Sequence, residues 1–306
     1  MQLLLRALDY VFLLRPTLMF PVWITMMCGF AVRTEPDFFT NSPLPYFALL
    51  LFSLSAGTTY IFNQIADRES DFHNNKLFLL SHHHISLTAA WIEAVLLTLF
   101  SLVLSTSISM AFFWVQVAVV VAGICYSFFG FMSHPALGLL INFLGGIFSF
   151  LGGYFAIPDF QSDLFDQLML SLPYGFAWGA VYLLVSIPDV AGDKKFGKNT
   201  IAVVHGEKRA MFDAFLLVLI AALLGALTQN FYVLITVGLS GLISTPYFFK
   251  VFADGDLSKI STPVKLSMLL LSFALFFSYP MLLALLAATV LLSRFYYQKR
   301  FGLKYP

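Results

Sequence analysis

Charge is what this sequence has least of. Seventeen basic and sixteen acidic residues make up 11% of its 306 positions, against about 25% in a soluble domain. So few charges exclude an ordinary water-facing surface. A hydrophobic fraction of 59%, a mean hydropathy of +0.86 and 35 Phe place the chain in a bilayer instead. The formal net charge of +1 leaves no basic footprint for nucleic acid. Cysteine is equally scarce. Cys28 and Cys125 both lie inside apolar runs, which excludes a disulfide framework and a thiolate metal site. No cleavable leader is expected, because Arg6 and Arg15 bracket an apolar, aromatic stretch that runs straight into a spanning segment.

Long apolar runs are what the sequence has in abundance. At about 20 residues per span, the pattern predicts nine helices, near 10–32, 44–65, 85–106, 108–130, 135–157, 167–187, 210–227, 230–250 and 266–292, in one all-α membrane domain over residues 1–306. The segments between them alternate in charge. With the N-terminus inside, twelve of the seventeen basic residues fall on the cytoplasmic side, as the positive-inside rule requires. Nine crossings leave Arg294, Lys299, Arg300 and Lys304 outside, against that rule; a count off by one would bring them in. The expectation is an integral protein of the inner cell membrane with its polar site on the cytoplasmic face.

Two polar islands interrupt this background and hold five of the sixteen acidic residues. The first is Asn63-Gln64-Ile65-Ala66-Asp67-Arg68-Glu69-Ser70-Asp71, closing the second apolar run. On a continuing helix Asn63, Asp67 and Asp71 stand at i, i+4 and i+8, each step advancing about 40° and about 6 Å, so their oxygens form one stripe. The second is Asp189-Val190-Ala191-Gly192-Asp193, at the end of the sixth run, with Lys194, Lys195 and Lys198 behind it. Helices two and six run in the same direction, so both islands emerge on one face and are able to confront each other. Carboxylates suit a hard cation such as Mg²⁺, and ammonium groups suit the anion it bridges. An intramembrane carboxylate costs about 2.5–3.5 kcal/mol, so such residues usually mark a site.

Other polar features carry less. His82-His83-His84 reads as a loop whose adjacent rings do not face one point, and His134 and His205 read as solvated loop residues. Asp159, Asp163 and Asp166 have helical spacing but lie on the outer side beside Pro158 with no bases nearby. Asn142, followed by Gly145-Gly146 and Gly152-Gly153, is more informative: small residues permit close helix approach, and a buried amide orients a ligand.

These motifs resemble those of the UbiA superfamily of intramembrane prenyltransferases, which carries N-(D/Q)-x-x-D-x-x-x-D after its second helix and D-x-x-x-D after its sixth. Arg15-Pro16-Thr17, Tyr126-Ser127, Asn142 with Gly145-Gly146, and Thr200, Val203 and Gly206 are further marks of similarity, which extends over about the whole chain. The resemblance implies a nine-helix bundle and Mg²⁺-dependent transfer of an isoprenyl chain from a prenyl diphosphate to an aromatic, quinone-precursor-like acceptor. It implies that Asn63, Asp67, Asp71, Asp189 and Asp193 hold the metal, that Arg68, Lys76, Lys194, Lys195 and Lys198 meet the diphosphate, and that Tyr60 or Asn142 neighbours the acceptor. The lipid-like donor and product account for the membrane setting. Relatives often follow the first motif with N-x-x-R-P-L-x-x-G, whereas Asn74-Asn75-Lys76-Leu77 has neither Arg nor Pro, and Lys76 is the basic residue there. Two alternatives stand beside this reading. A cation-coupled transporter would place its carboxylates near the bilayer midplane, and an inactive relative that binds prenyl lipids would fit the missing Arg-Pro.

Overall fold

The computed structural model describes residues 2–34, 41–73, 78–158, 163–254, 262–276 and 279–303. Every regular element among them is helical. We label the long helices α1 (Gln2–Leu13), α2 (Met19–Ala31), α3 (Leu44–Ala66), α4 (Leu87–Ser105), α5 (Met110–Phe128), α6 (Pro135–Phe155), α7 (Leu164–Ser186), α8 (Glu207–Leu227), α9 (Ser240–Asp254), α10 (Thr262–Phe276) and α11 (Pro280–Phe301). Eight helical segments among the described residues are long and apolar enough to cross a membrane.

Polar residues stop these helices where the apolar runs end. Ser86 and Ser109 accept from the backbone N–H of Ala89 and Phe112 at the starts of α4 and α5, at 3.1 and 3.0 Å. His134 and Asp163 do the same for α6 and α7. His134 is therefore a helix cap. The Ser109 hydroxyl also donates to the Phe155 carbonyl at 2.7 Å, tying the start of α5 to the end of α6.

Packing radiates from α2 and α6. α2 lies on α3 and α6, α6 on α5 and α7, α7 on α8, and α3 on α4 and α5. Glycine sets the closest of these contacts. A Cβ at Gly29 would stand 2.0 Å from the Phe150 carbonyl oxygen, and one at Gly153 1.9 Å from that of Met26, so the α2 and α6 backbones touch at two points. Midway along α6, a Cβ at Gly146 would meet the Tyr174 carbonyl oxygen at 2.5 Å, which lets α7 approach closely as well.

The expected helices and the observed ones part in four places, and proline explains two. The helix expected from 10 to 32 is broken: Arg15 takes a left-handed conformation (φ 55, ψ 62) and Pro16 opens a short 3₁₀ turn before α2. The helix expected over 266–292 is two, α10 and α11, separated before Pro280, because the residue preceding a proline is pushed out of the helical region. The expected 230–250 helix begins at Phe231 but runs through π turns at Leu234–Leu239 before α9. The stripe through the first motif is bent, since α3 ends at Ala66, Asp67 has φ −93 and ψ 7, and a new short helix covers Arg68–His73.

The end of the bundle at which the tail lies, which the helix count left open, follows from contacts of α11. Arg300 on α11 forms an ion pair with Asp9 on α1, and α1 packs with Ile61 and Phe62 at the end of α3 that leads into the first acidic island. Arg300 therefore lies at the same end of the bundle as the acidic motifs.

Candidate active site

A cavity of about 430 Å³ lies between α3, α5, α6 and α7. Its walls follow helical spacing. From α3 and the residue after it come Ala56, Thr59, Tyr60, Asn63 and Asp67; from α7 and the turn after it come Tyr182, Ser186, Asp189 and Asp193. Each set recurs every three or four residues, so each is one helix face. α5 adds Val119, Gly123 and Tyr126, and α6 adds Asn142, Gly145 and Phe148. A Cβ at Gly123 would meet Thr59 at 2.5 Å, and one at Gly145 would meet the Trp178 ring at 3.3 Å. Both glycines thus let the opposite wall close in.

The cavity is polar at one end and aromatic along the rest. At the polar end Lys198 donates to Asp67 Oδ1 at 2.8 Å, and the Asn63 amide donates to Asp67 Oδ2 at 3.0 Å. Asp67 therefore reaches across from the first island to the loop behind the second. Two hydroxyls on the same walls, Tyr182 OH and Thr200 Oγ1, are buried without a hydrogen-bond partner among the described residues. Buried polar atoms in that state are costly unless a ligand meets them. Trp178 is fixed by donating to Thr25 Oγ1 at 3.1 Å, and Asn142 by donating to the Gly138 carbonyl at 2.9 Å.

Five of the residues expected at the site from the sequence, Asn63, Asp67, Asp189, Asp193 and Lys198, come together on this cavity, as do Tyr60 and Asn142. Four others do not line it. Asp71 is buried one turn further along, past the bend at Asp67. Arg68 is half-buried beside it, and Lys194 and Lys195 are exposed on the short helix Val190–Lys195. Lys76 lies outside the described residues. Tyr60 is held by donating to the Leu18 carbonyl at 3.2 Å. Sequence reasoning passed over Tyr182, Ser186, Trp178 and Thr200 as site residues. Tyr182 and Ser186 had a signal, since they precede Asp189 by seven and three residues and so share its face; Thr200 stood only as a mark of family similarity, and Trp178 had no signal beyond polarity.

Among the described residues no three His, Cys, Asp or Glu side chains converge on one point. The oxygen donors are instead divided across the cavity, Asn63 and Asp67 on one wall and Asp189 and Asp193 on the other. That all-oxygen set fits a hard cation, and its division between facing walls fits ions that share an anionic ligand lying between them. The two unpartnered hydroxyls suit the same anion.

Comparison with known proteins agrees. Residues 22–268 match the model of the UbiA prenyltransferase family. The chain belongs to that family. Like its relatives it is an integral membrane protein, as its apolar helices require. The chain is 26% identical over 185 residues to the digeranylgeranylglyceryl phosphate synthase of Sulfolobus acidocaldarius, a match covering 60% of this chain and 65% of that protein. A UbiA homolog from Archaeoglobus fulgidus, solved bound to GPP and Mg²⁺, has a TM-score of 0.70 at 20% identity, covering 91% of this chain and 99% of that one. The apo UbiA homolog from Aeropyrum pernix K1 has a TM-score of 0.60 at 15% identity, covering 90% and 97%. These solved structures share the UbiA fold.

Proposed function

We propose that the chain is a Mg²⁺-dependent prenyltransferase that moves an isoprenyl group from its diphosphate to an aromatic acceptor at the cytoplasmic face of the membrane, the whole chain acting as one catalytic unit. The observation that carries the reading is the cavity itself, in which both acidic islands, one lysine and two unpartnered hydroxyls meet below aromatic and apolar walls. Family membership supports the reaction class, and the GPP and Mg²⁺ bound by the Archaeoglobus fulgidus homolog support the donor and the metal.

In this reading Asn63, Asp67, Asp189 and Asp193 hold Mg²⁺, with Asp71 a reserve carboxylate one turn away. Mg²⁺ held there would supply the positive charge that offsets the negative charge building on the diphosphate. Lys198 and Arg15, both on the cavity, bind phosphate oxygens, and Tyr182 and Thr200 donate to them. The allylic C–O bond breaks with its electron pair leaving on the diphosphate. Tyr60, Tyr126, Phe148 and Trp178 line the cavity, exclude water and surround the electron-poor allylic carbon with aromatic rings. Asn142 orients the acceptor, whose nucleophilic atom forms the new bond to that carbon and then releases a proton.

A glycerophosphate acceptor is the second reading, favoured by the match to the Sulfolobus acidocaldarius synthase. It needs a cation for a second phosphate, and in that case Arg15, one of the two basic residues among the described residues lining the cavity, would serve the acceptor while Lys198 serves the diphosphate. The test supplies the purified protein in nanodiscs with Mg²⁺, labelled prenyl diphosphates of several lengths, and either aromatic acids or prenylglyceryl phosphate. A labelled lipid from the aromatic panel that vanishes with EDTA supports the first reading, and product from the glycerophosphate alone replaces it with the second. No product from either, with the protein folded, ends both.

A further inference from the structure

The mechanism above leaves one buried carboxylate without a task. Asp9 on α1 is 2% exposed and accepts three hydrogen bonds from α11. The Tyr296 hydroxyl donates at 2.6 Å, and Arg300 donates through Nε and Nη2, both at 3.0 Å. Phe12, three residues further on, stacks flat against the Tyr296 ring with centroids 3.9 Å apart. α1 is thereby clasped to α11.

The far end of α1 is fixed to α3 instead. The Leu13 carbonyl accepts from Gln64 at 2.8 Å and the Leu18 carbonyl from Tyr60 at 3.2 Å. The Leu14 side chain fills the space over Gly57, where a Cβ would stand 2.6 Å from it. Between these anchors lies Arg15, in the left-handed region at φ 55, with its side chain on the cavity. A non-glycine residue persists in that conformation only where its surroundings over-determine it. Asp9, Tyr296 and Arg300 fall outside the residues 22–268 matched by the family model and belong to none of the family's motifs, so this clasp is not something that the match supplies.

We propose that Asp9, Tyr296 and Arg300 are positioning residues, a clasp that sets α1 so that the Arg15 guanidinium reaches the anion bound in the cavity. The inference rests on the reading of the cavity as a diphosphate site. A bidentate arginine–carboxylate pair fixes orientation as well as distance, which is what an elbow between two helices requires.

The full chain in nanodiscs tests it. Asp9→Asn and Arg300→Gln are each expected to raise KM for the prenyl diphosphate roughly ten- to a hundredfold with little change in kcat, as misplacement of a binding group does. The double variant is no worse than either single one, because the pair acts as a unit. Arg15→Ala gives a similar rise, and adding Asp9→Asn to it adds nothing. Should Asp9→Asn fail to fold, Tyr296→Phe keeps the ion pair and is expected to raise KM about threefold, the loss of one hydrogen bond. A second readout needs no turnover. With Cys28→Ala and Cys125→Ala in place, the rate at which Arg15→Cys reacts with a charged maleimide changes by about fivefold or more when the clasp is cut. Lowered thermal stability with KM and labelling unchanged overturns the proposal and leaves only a structural tie. If the native chain transfers nothing while labelling still responds to the clasp, the assignment of the cavity fails and the hold on Arg15 stands.

Discussion

At the scale of single residues, Asp67 carries the most consequence, because it is hydrogen-bonded from both sides of the cavity. Asp67→Ala and Asp189→Ala are each expected to lower kcat by at least about 10²–10³-fold, the usual effect of removing one preorganised charge interaction, with the melting temperature of the detergent-solubilised protein unchanged. Near-native turnover in either variant would remove the carboxylates from the mechanism. Lys198→Ala acts differently: it takes away a cation that faces the anion and also frees Asp67, so the expected result is a KM for the diphosphate raised about tenfold with kcat nearly held. Much of this was legible beforehand. Asn63, Asp67, Asp189 and Asp193 announced themselves as acidic and amide groups at i, i+4 spacing in a chain with almost no charge. Asp71 shared that spacing but was carried off the cavity by the bend at Asp67. No periodicity encodes a bend of this kind, since the backbone there still bonds Asp71 N–H to the Asp67 carbonyl at 2.8 Å as a helix would.

At the scale of helices, the contact between α2 and α6 admits no side chain. Gly153→Leu forces a methylene into the Met26 carbonyl, and overpacking of this sort costs about 3 kcal/mol or more. The expected outcome is loss of the monodisperse peak on size exclusion, or a melting temperature lower by many degrees; an unaltered profile would mean that α2 and α6 are not in backbone contact. Ser109→Ala removes both the cap on α5 and the bond to Phe155, and a loss of about 1–2 kcal/mol is expected in thermal unfolding. Helix existence was easy to read from runs of about 20 apolar residues. Their interruptions were not, for the apolar run from 266 to 292 continues straight through Tyr279-Pro280, and only the proline ring, not the hydropathy, divides α10 from α11.

At the scale of the whole molecule, the Arg300–Asp9 pair holds the C-terminal helix at the acidic end of the bundle. Cysteines introduced as Lys194→Cys and Leu303→Cys, in a chain lacking Cys28 and Cys125, are therefore expected to react with an impermeant maleimide from the same side of sealed vesicles. Labelling from opposite sides would restore the nine-helix count read from hydropathy. The charge distribution had pointed to this outcome, since Arg294, Lys299 and Arg300 broke the positive-inside rule only under that count.

The clasp also has a history in time. Asp9 and Arg300 are 291 positions apart, and at about 5–20 residues per second of synthesis the arginine reaches the ribosome's exit roughly 15–60 s after the aspartate. Through that interval the carboxylate has no partner, and an unpaired charge does not settle into an apolar interior. α1 must therefore wait at the aqueous border while the helices between are inserted. It docks when α11 arrives, so the earliest helix made is among the last to find its place.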